Sequence, residues 1–187
     1  MSDLIQLEGI EAPAVGTWQI DPGHADVGFV GRHFGLTKIR GRFTGVSGVV
    51  NIAENLRASS VVVEIDMASV SSGDRTRDDH LRSSDLFDVE HHPTATFRST
   101  GLAANGRRSS LSGELTIKGV TRVIVLDVAF LGSARDPWDN ERAVFSAAAK
   151  INREDWGLTW NMVLEAGGLL VSKEIRLEIE VELIRQP

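Results

Sequence analysis

Five histidines, no cysteine and no tyrosine set the chemical repertoire of this 187-residue chain. Without thiols it has no disulfide, no thiolate metal site and no cysteine nucleophile. The histidines are His24, His33, His80, His91 and His92. His80 has the richest surroundings, with Arg77, Asp78 and Asp79 before it and Leu81 after it. On a helix, Arg77, His80, Leu81 and Ser84 share a face, and Arg77 with His80 would offer donors to an anionic or carbonyl head group at a cavity rim. A plainer use has Arg77 and Asp78 pairing with Asp74, Arg82 and the sheet end to anchor the helix. His24 follows Asp21-Pro22-Gly23, and either caps that turn or faces the cavity mouth. Asp78 with His80 makes a general acid/base pair only beside a nucleophile or water site. His91-His92 lies next to Asp88 and Glu90, a ligand-rich composition. Adjacent residues of an extended segment point to opposite faces, however, and Pro93 favours a solvated turn there. The signatures G-x-S-x-G, H-E-x-x-H, G-x-G-x-x-G and the P-loop are absent. Gly41, Gly45 and Gly48 suit strand bends, not a phosphate cradle.

Strands must position these residues. From Glu174 to Ile184, apolar Ile175, Leu177, Ile179, Val181 and Leu183 alternate with charged residues, the pattern of a strand with one buried face. Val61 to Met67, Leu111 to Ile117 and Phe145 to Ile151 repeat it. Strands are expected over 16–22, 26–34, 38–52, 60–70, 94–102, 109–118, 122–132, 143–152 and 173–185. Asn105-Gly106 predicts a type I′ hairpin turn, and Lys118-Gly119-Val120 a second tight connection. Asp74 to Phe87 lacks alternation and predicts a helix with Ser71 or Ser72 as N-cap. A second short helix or turn is expected between Trp160 and Gly167. One all-β domain results, either a sandwich or a closed barrel. The small residues Gly31, Gly113, Ala147 and Ala149 on apparent inner faces lean toward an internal cavity.

Lys plus Arg total 20 against 26 Asp plus Glu, and the net charge of −6 argues against a nucleic-acid groove. Residues 1–15 are acidic with neither a basic start nor an apolar run, so they read as a tail and not as an export signal, and a soluble cytoplasmic protein is expected. Val123 to Leu131 is apolar on both faces, which calls for a covering helix or a homodimer.

Several blocks together resemble the YceI-like, polyisoprenoid-binding, lipocalin-like family. They are Trp18 to His24 with Val27-x-Phe29 and His33-Phe34-Gly35; Arg77-Asp78-Asp79-His80-Leu81; Asp85 to Asp88 with His92-Pro93-Thr94-Ala95-Thr96-Phe97; Gly113 to Thr121; and Ile151 to Leu158. Val171-Ser172 leads into the final alternating strand. They keep their order from Trp18 to Glu182. This chain differs in having Ala25 after His24, Leu86 for a common Phe and His92 for an aromatic. The resemblance implies an all-β, eight-stranded antiparallel barrel with one or two capping helices over residues 16–187, holding a long isoprenoid or quinone tail without catalysis or cofactor. Strand phase supplies Val27, Phe29, Phe43, Phe97, Leu115, Ile117, Phe145, Ala147 and Trp156 as lining residues. Arg77, His80 and His24, with Leu81 beside them, would meet the polar head. Two other readings are an enzyme acting on such a lipid through Asp78, His80 or His24, and a filled barrel that binds a partner by its surface.

Overall fold

The computed structural model describes residues 5–7, 10–165 and 170–187. A short hairpin of β1 (Ile5–Leu7) and β2 (Ile10–Ala12) comes first. There follow β3 (Gly16–His33), β4 (Thr37–Phe43), β5 (Val46–Ile52), β6 (Ser60–Asp66) and β7 (Val70–Ser71). After helix α1 (Arg75–Arg82) come β8 (Thr94–Asn105), β9 (Arg108–Ile117), β10 (Val120–Arg135), β11 (Glu141–Asn152) and β12 (Glu174–Arg185). The order β3-β5-β6-β8-β9-β10-β11-β12 closes on itself through β12 and β3, every pair antiparallel. That is a closed eight-stranded barrel.

The expected strands 16–22 and 26–34 are one strand. β3 pairs with β12 along its length but is out of register between Ile20 and Ala25, so Asp21–His24 bulge from the wall. Asp21 fixes the bulge by accepting the Gly23 N–H at 3.0 Å. Conversely, the expected 38–52 strand breaks at Thr44-Gly45, where the Gly45 carbonyl accepts the Asp66 N–H at 2.8 Å. The 60–70 strand breaks at a 3-10 turn, Met67–Ser69, capped by the Asp66 carboxylate. β4 and β7 then pair with each other and extend the wall beside β3 at one end.

Two hairpin details differ from expectation. The β8–β9 loop is Gly106-Arg107, with a positive φ (61°) only at its first residue, as a type II′ turn requires. The I′ pattern, two successive positive φ values, falls at Lys118 (51°) and Gly119 (73°) between β9 and β10. Helix α1 is capped by Asp74, whose Oδ1 accepts the Arg77 N–H at 2.8 Å, and not by Ser71 or Ser72. Between Trp160 and Gly167, where a short helix or turn is expected, Glu165 stands in a turn, no helix is described in 160–165, and residues 166 and 167 lie outside the described residues. Among the described residues, 3-10 turns lie at Leu56–Ala58, at Met67–Ser69 and at Arg153–Trp156, the last closed by Gly157. On β10, Ile124 and Leu126 are buried while Val123 and Val125 are exposed, and α1 packs against β7, not over them.

An apolar cavity with two unlike ends

The barrel encloses a cavity of about 580 Å³. This is within the range of sites that take a small hydrophobic molecule. Val27, Phe29, Phe43, Phe97, Leu115, Ile117, Phe145 and Ala147 all line it, so strand phase placed the wall correctly. α1 contributes Arg77, His80 and Leu81.

Trp156 does not line it. The 3-10 turn takes the chain out of strand phase after Asn152, and Trp156 is buried among Leu115, Ile124 and Leu158 with its indole N–H on the Leu115 carbonyl at 2.9 Å. His24 does not line it either. It stands on the β3 bulge, exposed, with Nδ1 3.0 Å from Asp21 Oδ2.

Small inward residues have two different uses. Gly31 and Ala147 border the cavity. Gly113 does not give room to a ligand: a Cβ there would overlap the Phe97 ring, which lies across it. Gly41 is covered in the same way by Phe29, its cross-strand partner. An aromatic ring laid over a strand glycine is a recognised sheet-stabilising pair.

The α1 end of the cavity is rich in cations. Arg77 donates through Nε to Ser72 Oγ (2.8 Å) and through Nη2 to the Ser72 carbonyl (3.2 Å), with no carboxylate in ion-pair range among the described residues. Asp78 is buried and accepts from the Ser72 N–H (2.7 Å) and hydroxyl (2.5 Å), while Arg82 donates to the Ala68 and Val70 carbonyls. These contacts fasten α1 to the β7 segment at this end of the barrel. His80 Nε2 sits 3.0 Å from Asp85 Oδ2, and its ring meets Trp160 edge-on at 4.4 Å.

Arg153, Trp160 and His33 complete this end; sequence reasoning did not select them. Arg153 stands in the Asn152-Arg153-x-Asp155-Trp156 block, which was the available signal. Only 5% of it is exposed; it donates to the carbonyls of Ser172, Leu158 and Trp160, and its Nη2 has no partner. Burial pushes this guanidinium below its usual pKa.

The far end is closed by protein. Ala12, Pro13 and Ala14 are buried there, so residues just ahead of β3 are part of the closure. The Ala14 carbonyl accepts the Trp18 indole N–H at 3.0 Å, Arg185 donates to the Val15 carbonyl at 2.9 Å, and Glu11 pairs with Arg107. Outside the wall, Arg142 reaches Asp21 (2.7 Å), Asp136 (2.8 Å) and Glu182 (3.0 Å). Arg142 holds the Asp21 carboxyl down at about 2 and, after the Asn140 amide, helps hold Asp136 lower still. Asp21, His24 and Glu182 are close enough together to suggest a cation site, but the Arg142 guanidinium already occupies the two carboxylates. His91 and His92 form no such group: His91 pairs with Asp88 at 2.9 Å, and His92 lies against Gly119.

Similar proteins share this architecture. A family model described as a YceI-like domain matches residues 18–183. A UPF0312 protein of Pseudomonas paraeruginosa is 37% identical over 164 residues, 87% of this chain and 83% of the relative. Among solved structures, Burkholderia cenocepacia BcnA superposes with a TM-score of 0.76 at 23% identity, covering 87% of this chain and 98% of the other. A polyisoprenoid binding domain from Saccharophagus degradans, implicated in plant cell wall breakdown, gives 0.68 at 20% identity, covering 92% and 100%. At those identities the two structures speak for the fold. The family match, spanning nearly the whole barrel and joined by a relative at this level of identity, carries the conclusion that this chain belongs to the YceI-like family.

Proposed function

We propose that the protein is a non-catalytic carrier that sequesters one long apolar molecule, an isoprenoid lipid or quinone tail, with its tail along the barrel and its polar head at the α1 end. The observation that carries this reading is the cavity itself: an apolar bore whose α1 end carries Arg77, His80 and Arg153, while the charged residues bordering its far end, Arg107 and Glu11, pair with each other. Each methylene buried there contributes roughly 0.8 kcal/mol. A chain of about ten gains on the order of 8 kcal/mol before the cost of ordering it, so affinity needs no polar contact along the tail. The polar groups then set direction. The solved Saccharophagus domain with the same fold is a polyisoprenoid binder, which supports the ligand class.

A non-catalytic role suits the commitments of the candidate acids and bases. Asp78 is tied to Ser72, His80 to Asp85 and Trp160, and His24 stands outside the bore. Gently purified protein examined by native mass spectrometry is expected to carry an adduct that organic solvent extracts. A polyprenyl probe is expected to quench Trp160, which borders the cavity. No adduct, together with unchanged tryptophan fluorescence, would overturn the proposal; turnover of an added lipid that His80→Ala abolishes in folded protein would favour the enzyme. Cell fractionation tests a cytoplasmic location, which recovery of the protein outside the cytoplasm would overturn.

A further inference from the structure

The loops at the α1 end expose apolar side chains. Phe34 is 52% exposed, Leu36 79%, Met162 56% and Val163 80%. They belong to one ledge: the Phe34 N–H donates to the Leu170 carbonyl (3.0 Å), and the Leu170 N–H donates to the Met162 carbonyl (2.9 Å). Asn161 holds the ledge through both directions of hydrogen bonding with Val171 (2.7 and 3.0 Å). His33, Leu170 and Val171, which border the cavity, lie directly behind it.

Two further observations bear on what meets this ledge. Phe34 has a φ of 55°. That left-handed conformation is costly for a bulky residue and natural for Asn or Gly, and the tip keeps an aromatic ring there that rests against His33, centroids 4.1 Å apart, while half of the residue stays exposed. The charge beside it is also one-sided. Arg32 and Lys38 face each other across the β3–β4 ladder, next to Arg40 and Arg176. Glu178 takes Arg40 (2.9 Å) and Arg176 (3.2 Å), whereas Arg32 and Lys38 have no carboxylate in ion-pair range among the described residues. Glu165 is the carboxylate on the ledge segment 161–165. A chain of net charge −6 thus presents a cationic flank beside exposed apolar tips at the cavity opening.

We infer that this ledge is a docking surface for an anionic lipid bilayer. Phe34, Leu36, Met162 and Val163 enter the interfacial layer while Arg32 and Lys38 meet the lipid phosphates. Shallow apolar insertion plus attraction to anionic lipid is the physics of interfacial binding. The orientation turns the cavity opening toward the membrane, so a lipid passes between bilayer and barrel without crossing water. Only this purpose rests on the carrier reading; the docking does not.

The test is sedimentation of the full chain with phosphatidylcholine vesicles, with and without phosphatidylglycerol, at low and high salt. Binding is expected to the anionic vesicles at low salt and to fall as salt rises. Phe34→Asn with Leu36→Ser is expected to lower vesicle affinity by about tenfold or more. Its melting temperature should not fall, because Asn accepts the backbone geometry. Lys38→Ala is expected to cost about fivefold at low salt and little at high salt. Equal, weak pelleting with both vesicle types overturns the inference, as does a double variant that binds like the parent. Loss of self-association in that variant, with no vesicle binding by the parent, overturns it in favour of a contact between two copies. Protein that binds vesicles but never extracts a polyprenyl lipid keeps the docking and removes the carrier; uptake from detergent without vesicle binding does the reverse.

Discussion

The two ends of the barrel are built from similar residue types put to opposite uses. At the far end cations are matched: Arg142 holds three carboxylates, Arg107 has Glu11, and Arg185 reaches Glu141 and the Val15 carbonyl. At the α1 end, Arg77 and Arg153 spend their hydrogen bonds on a serine and on backbone carbonyls beside an apolar bore, with no carboxylate bonded to either directly: Asp78 reaches Arg77 only through the Ser72 hydroxyl, and Glu154 acts on Arg153 only through space. A matched cation holds structure together, and an unmatched one at a cavity is available to a ligand. The difference assigns closure to one end and recognition to the other.

Breaking the matched end should cost most. Arg142→Leu takes the shared cation away from Asp21, Asp136 and Glu182, although Gly23 and His24 still donate to Asp21 and Trp138 and Asn140 to Asp136, and is expected to lose about 2 kcal/mol or more in urea unfolding. Bound lipid per folded molecule should not change; a loss of lipid with unchanged stability would blur the division between the ends. Next comes the bore between them. Ala147→Leu is expected to cut uptake of a polyprenyl probe about tenfold while unfolding shifts by less than about 1 kcal/mol. A drop of about 1–3 kcal/mol with no ligand effect is the signature of a packed interior instead.

Acid sharpens the contrast further. Asp21 is held at about 2 in the fold, against an ordinary 3.8, chiefly by Arg142. Its contribution is therefore complete above about pH 4 and is lost as the pH falls toward 2. Unfolding measured across that window should show a steeper loss for the parent than for Arg142→Leu. The smallest effect belongs to the α1 end: His80→Ala removes a partly exposed pair with Asp85 and should alter stability by under about 1 kcal/mol. It is expected to weaken probes with an anionic head more than headless ones; equal weakening of both would remove His80 from head recognition.

Alternation alone placed the wall, because a side-chain period of two decides which residues face inward once a strand is recognised. Phe43, Phe97, Ile117 and Ala147 were read from phase and stand where phase put them. That logic fails wherever the chain leaves the ladder. Trp156 was assigned by extending β11 through a 3-10 turn, and His24 by treating a bulge as a turn between strands. The α1 residues were visible as a helical face, but Arg153 and Trp160 were not. They are brought to the cavity by bonds from the Arg153 guanidinium to the Ser172 and Trp160 carbonyls, which follow neither strand nor helix periodicity. Residues 11–15 read as an acidic tail because their burial depends on the barrel end that receives them.

The rings of Phe29 and Phe97 lie where side chains on Gly41 and Gly113 would be. The Phe29–Gly41 pair is thus a single unit of inheritance, open to change in one order only, whereas Gly113 is closed by the Arg98 carbonyl as well as by the Phe97 ring. A larger residue at Gly41 while Phe29 remains has nowhere to go, whereas a smaller residue at Phe29 first vacates the space that a later change at Gly41 can take. Drift in the calibre of this barrel at that pair must therefore begin at Phe29, and Gly41 records the history by following.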